Sequence, residues 1–125
     1  MNAAARRYAT MQTQTASRER LMIMMFETAL RHIRAAHTAL EADDRPAARV
    51  PLQKSQDIVT ELMATLDSHA APQLCSMLQD VYSFTAGRLL RASITGSAQD
   101  AADAERVFSP VADAFQKAVA ALAQP

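Results

Sequence analysis

Residues 21–40 read LMIMMFETALRHIRAAHTAL, and this stretch decides the fold. Its apolar residues recur at alternating spacings of four and three, the pattern of a helix that buries one face against other helices. The positions on that face are Met22, Phe26, Ala29, Ile33, Ala36 and Leu40. We expect this helix to begin at Ser17, whose hydroxyl can cap free N–H groups, and to end before Pro46. The stretch therefore predicts one seam of a helical bundle.

Proline and glycine delimit two further helices. The second begins between Pro46 and Pro51, because proline fits the first turn of a helix but not its interior. It breaks at residues 67–69, and Pro72 can open a third helix that Gly96 stops. Each of these segments carries an apolar face at helical spacing, so both are expected to pack in the same bundle as the first helix.

A fourth helix is indicated near the end of the chain. Its apolar face comprises Phe108, Val111, Phe115, Ala118 and Leu122. Pro110 lies inside it, and we expect one helix with a kink rather than two. Short connections favour antiparallel neighbours. The prediction is an all-α, up-down-up-down four-helix bundle over residues 17–125, preceded by a flexible N-terminal arm or cap over residues 1–16.

Composition restricts the function. The chain has 125 residues, enough for one domain, with 13 basic and 13 acidic residues interspersed, so no broad positive field favours nucleic acid as a partner. The longest apolar run, residues 21–26, falls far short of the roughly 20 residues that cross a bilayer, so we expect no membrane insertion. Cys75 has no partner for an internal disulfide and is expected at a packing position. These features fit a cytoplasmic location.

The motifs of catalysis are missing from the sequence. A helical di-metal site uses Glu-x-x-His pairs, but no histidine stands three residues after Glu27, Glu41 or Glu61. Two isolated glycines, Gly87 and Gly96, cannot form a phosphate-binding loop. The three histidines are expected to be ordinary surface or boundary residues. We therefore predict a protein that is not an enzyme and has no cofactor and no metal site.

Helix one is more apolar than a single seam requires. The additional positions are Leu21, Ile23, Met24, Met25 and Leu30. They either widen the core or line a groove, and methionine suits a groove because its flexible side chain repacks against varied partners. Tyr8 and Met11 are large apolar residues of the arm. They either dock on that groove as a displaceable lid or remain disordered.

Several motifs in order resemble a known family. Tyr8 is followed seven residues later by Thr15-Ala16-Ser17 and then by the apolar start of helix one. Residues 54–62 read KSQDIVTEL, and Val81-Tyr82-Ser83-Phe84 precedes Arg88-Leu89 at a fixed spacing. This order is similar to that of the flagellin export chaperones of the FliS type. Arg18 stands where the family usually has proline, and Phe115 where it has tryptophan.

The resemblance implies a chaperone that binds the disordered C-terminal segment of flagellin. Such a protein prevents premature polymerisation and delivers flagellin to the flagellar type III export apparatus, with an export-gate component as a further partner. We expect the contacts to come from Tyr8, Met11, Leu21, Met24, Met25, Ile58, Leu62, Met77, Val81 and Tyr82. A homodimerising structural bundle and a divergent chaperone for another secreted protein remain the alternatives.

Overall fold

The computed structural model describes residues 2–122, and for residues 8–16 it describes the backbone alone. It contains four helices: α1 (Ala3–Glu41), α2 (Arg45–Ala64), α3 (Pro72–Thr95) and α4 (Ala98–Leu122). Each helix packs against two others, in the cyclic order α1, α2, α3, α4. The predicted all-α four-helix bundle is confirmed.

Polar bonds between helices define their directions. Arg45, at the start of α2, donates from its guanidinium to the backbone carbonyl of Ile94, at the end of α3, over 2.8 Å. Arg34, late in α1, donates to the carboxylate of Glu105, early in α4, over 3.2 Å. The start of one helix therefore lies beside the end of its neighbour, as the up-down-up-down topology requires.

The first helix begins earlier than predicted. It starts at Ala3, where Asn2 caps it by accepting a hydrogen bond from the backbone N–H of Ala5 over 2.8 Å. Ser17 lies inside the helix and is not its cap, so that prediction is wrong. The reason is that residues 3–16 contain neither glycine nor proline and are rich in alanine, so nothing in them breaks a helix. The flexibility of residues 1–16, and their separation from a domain over 17–125, stay predictions.

The start of α2 lies just before the predicted range. Asp44 caps the helix by accepting from the N–H of Ala47 over 3.1 Å, so the helix begins at Arg45. Pro51 lies in its interior, so the prediction of a start between Pro46 and Pro51 is wrong. Gly96 ends α3 in the left-handed region at a φ of 73°. The fourth helix continues through Pro110, so the prediction of one helix is confirmed.

The core lies along the predicted faces of the helices, but the face of α4 contributes only in part, because Phe108 is buried whereas Leu122 is 76% exposed. The buried apolar side chains include Phe26, Ile33, Leu40, Leu52, Val59, Leu62, Tyr82, Leu89 and Phe108. The buried hydroxyls of Ser55 and Thr85 donate to backbone carbonyls of their own helices, which removes the cost of burying them unpaired. Within residues 2–122, no helix combines the length and the hydropathy needed to cross a bilayer.

Candidate binding groove

A gap in the bundle opens where α2 ends. Helix α2 has 20 residues, whereas α3 has 24 and α4 has 25, and a loop over residues 65–71 replaces its last turns. Beyond Ala64, α2 no longer covers the apolar faces of the other three helices. A groove of about 740 Å³ lies there, lined by all four helices and the loop. Its volume lies within the ~300–1,000 Å³ range of ligand sites.

The floor of the groove is aromatic. Phe26, Tyr82 and Phe115 line it, from α1, α3 and α4 respectively. The ring centroid of Phe26 lies 6.5 Å from that of Tyr82 and 5.3 Å from that of Phe115. Phe108 packs in the same cluster, with its ring centroid 5.6 Å from that of Phe26. Aromatic pairs at this separation stabilise by about 0.5–1.5 kcal/mol beyond the area that they bury, so packing between the rings stabilises the floor.

The walls are aliphatic and partly exposed. Leu21 of α1 and Met77 of α3 each expose 57% of their surface, and Leu74 is similarly exposed. Met22 and Met25 are half-buried along the α1 wall. Three charged side chains reach the lining, namely Arg18, Glu61 and Asp67. The groove therefore offers apolar surface with a few charges, as sites for an amphipathic partner do.

This groove brings together four of the predicted contact residues. Leu21, Met25, Met77 and Tyr82 all line it. Only 1% of the surface of Tyr82 is exposed, so its ring supports the floor from below and a partner does not reach it in this conformation. These residues lie on two helices, α1 and α3, and the fold gathers them at one groove.

The remaining predicted contacts lie elsewhere. Met24 is exposed but does not line the groove, while Ile58 and Val81 are half-buried against the core. Leu62 is only 1% exposed and belongs to the core itself, so a partner cannot reach it in this conformation. The side chains of Tyr8 and Met11 lie outside the described residues, and their role stays a prediction.

Comparison with known proteins identifies the family. The family model described as flagellar protein FliS matches residues 1–122. The chain belongs to the FliS family. A flagellar secretion chaperone FliS of Bacillus subtilis (strain 168) is 30% identical over 105 residues, which cover 84% of this chain and 77% of the relative.

Two further FliS relatives match at similar coverage. The flagellar secretion chaperone FliS of Salmonella typhimurium (strain LT2) is 29% identical over 104 residues, covering 82% of this chain and 77% of the relative. That of Escherichia coli (strain K12) is 24% identical over 106 residues, covering 84% and 78%. The resemblance inferred from the motifs is confirmed, and membership of a chaperone family indicates a role other than catalysis.

Sequence reasoning missed one wall of the groove in this FliS-family chain. The prediction placed the contacts on helices one to three, but Val111, Phe115 and Ala118 of α4 also line the groove, as does Cys75 of α3. A signal for the missing wall exists in the sequence. The polar break at residues 67–69 ends α2 early, whereas the apolar face of α4 continues to Leu122.

Two described side chains have clearly shifted pKa values, Tyr82 in the groove lining and His32 outside it. Burial raises the pKa of the Tyr82 phenol to about 12, so this group stays neutral at physiological pH. Partial burial, followed by the nearby charges of Arg31 and Lys54, lowers the pKa of His32. Among the described residues, no three His, Cys, Asp or Glu side chains converge to hold a metal ion. The geometry of the groove suits binding.

Proposed function

We propose that this FliS-family chain is a cytoplasmic export chaperone for flagellin. In this proposal the disordered C-terminal segment of flagellin binds the groove, is kept from premature polymerisation and is delivered to the flagellar type III export apparatus. The observation that carries the proposal is the apolar groove of about 740 Å³ with its aromatic floor. Membership of the FliS family supports the same function.

An exposed apolar stripe on a protein that polymerises drives its assembly. A segment that assembles by burying such a stripe will assemble early unless another surface covers the stripe first. The groove can do so by accepting side chains spaced three and four apart along a helix. A stable complex buries roughly 1,200–2,000 Å² of surface in total, which is more area than the lining of the groove alone can provide. Binding must also offset about 2–5 kcal/mol for ordering the cargo. Since binding is non-covalent, release requires only competition for the cargo.

We also propose that residues 1–16 regulate access to the groove. Arg18 lines the groove, so the chain immediately before it begins at the rim. The backbone of α1 is helical through this segment, and covering the groove would require that helix to open near Ser17. Deleting residues 1–14 should then tighten or accelerate cargo binding. Markedly weaker binding would mean instead that the segment contacts the cargo directly.

Calorimetric titration with a peptide of the flagellin C-terminal segment tests the main proposal. We expect saturable binding with a negative heat-capacity change, the marker of apolar burial. Absence of binding at tens of micromolar would refute flagellin as the cargo.

Cys75 supplies an independent measurement in the same experiment. It is a free, half-buried thiol in the groove lining, and it is the one cysteine of the chain. Bound cargo should slow its alkylation, whereas alkylation in denaturant should be unaffected by cargo. An unchanged native rate in a saturated complex would place the cargo outside the groove.

The homodimer alternative is distinguished by light scattering. In that alternative the groove meets a second copy of the chain, so mass should double with concentration and cargo should compete with dimerisation. A monomer that forms a complex of defined stoichiometry with the peptide favours the chaperone function.

A further inference from the structure

An apolar stripe leaves the groove along α3. Its residues, Leu74, Met77, Val81 and Phe84, are spaced three, four and three apart and so lie on one side of the helix. Leu74 and Met77 line the groove, Val81 is half-buried and Phe84 is exposed. At 1.5 Å per residue the stripe extends about 15 Å along the helix. It is therefore continuous with the groove and leads away from it.

The stripe ends on positive charge. The guanidinium of Arg88 lies over the Phe84 ring, 5.0 Å from its centroid. Arg88 and Arg91 share one buried carboxylate, that of Asp100, at 3.2 Å and 3.6 Å. Two cations on one anion leave an excess positive charge, and Arg91 carries it, because its bond is the longer and its side chain is 64% exposed.

The surrounding acids do not cancel this charge. Residues 81–99 contain these two arginines and no Asp or Glu. On α4, the carboxylate of Asp103 is already paired with Arg106 at 3.2 Å. The nearest acid towards the start of α3 is Asp80, three turns of helix before Arg91. The far end of the stripe is therefore cationic, while its near end opens into the apolar groove.

We propose that the bound segment extends out of the groove along this stripe and places acidic side chains on Arg91. The inference rests on the proposed function and specifies its partner as an amphipathic segment with an acidic end. Met77 and Arg91 are 14 residues apart on one helix, about 21 Å. A helical partner therefore carries its acids about 14 residues from the side chain that packs on Met77. Opposite charge at this end sets the register of the apolar contacts and raises the association rate.

Charge reversal at Arg91 tests the inference. The flagellin C-terminal peptide is titrated into the wild-type chain, Arg91→Glu and the matched control Arg49→Glu, an exposed arginine on α2 outside the stripe. We expect Arg91→Glu to weaken binding about fivefold to tenfold, since reversal replaces an attraction by a repulsion. The difference should shrink in high salt, and Arg49→Glu should remain within about twofold of the wild type.

Four further variants keep the test interpretable. Arg91→Gln removes the charge while Arg88 still donates to Asp100, so thermal melting should show a folded protein. Its affinity for the peptide should lie between those of the wild type and Arg91→Glu. Phe84→Ala should weaken binding through the stripe itself. The extension along the stripe would be overturned if Arg91→Glu and Arg49→Glu both bind with the wild-type affinity while Met77→Asp loses binding. That result would leave the proposed binding in the groove standing. Absence of binding by the wild type would overturn both proposals, and a dimer that Phe84→Asp abolishes would assign the stripe to a second copy.

Discussion

Truncation of Met77 to alanine measures what the groove contributes to cargo binding. Met77 lies on the α3 wall with 57% of its surface exposed, so a partner can still bury more than half of it. Complete burial of such a side chain contributes about 1.5–3 kcal/mol. The exposed fraction therefore corresponds to about 1 kcal/mol, or about fivefold in Kd. Met77→Asp should weaken binding much further, because the complex would then bury an unpaired carboxylate.

Val50 provides the matched control. It lies on α2 away from the groove and exposes 58% of its surface, almost the same fraction as Met77. Neither truncation should change the free energy of unfolding by more than about 0.5 kcal/mol, because both sites are on the surface. Calorimetric Kd values for Met77→Ala and Val50→Ala then separate contact from general surface effects. If both variants bind with the wild-type Kd, the groove is not the contact surface and the reasoning fails.

Three further predictions concern stability. Gly87→Ala should raise the free energy of unfolding by about 0.5–1 kcal/mol, since a Cβ there would meet nothing within 4 Å. Gly96→Ala should lower the free energy of unfolding, because φ is 73° and the new Cβ would lie 2.8 Å from Nε of Arg45. Urea denaturation measures both, and equal effects would contradict the backbone argument. Phe108→Ala should cost about 3–5 kcal/mol in the same assay, because the ring is fully buried, and a loss below about 1 kcal/mol would mean that the aromatic cluster can collapse to fill the space. Burial raises the pKa of the Tyr82 phenol from 10.0 to about 12, so the folded state favours the neutral form. The stabilisation of the folded state by neutral Tyr82 should be complete below pH 10 and be lost as the pH rises from 10 to about 12. Tyr82→Phe should lack that loss in alkaline melting curves, and an identical pH profile would refute the assignment.

The bundle was predictable because its signals are local and agree with one another. The seam from Met22 to Leu40, the stops at Pro46 and Gly96, and the late face around Phe108 each specify a helix and its buried side. Short connections then leave little choice of topology. The start of α1 was missed because Ser17 satisfies a capping rule without anything before it that breaks the helix.

The groove was only partly predictable because it depends on relations between helices. Excess apolar residues indicated a groove, but its position follows from where α2 stops relative to α3 and α4. Spacing cannot distinguish a wall residue such as Met77 from a core residue such as Leu62, since both occupy apolar positions on a helix. The same limit explains why Phe115 was expected in the core and is found in the groove lining.

The aromatic floor also links occupancy to the stability of the fold. Phe26 and Tyr82 are almost fully buried beneath the groove, whereas Leu21, Leu74 and Met77 on its walls are half exposed, so the empty molecule leaves these apolar wall residues in water. A ligand that fills the groove covers them only in the folded state. At a hundred times its Kd, it adds about 2.7 kcal/mol to the free energy of unfolding. The melting temperature therefore reports the fraction of the chain that has bound ligand, and release of the ligand returns the chain to its less stable form.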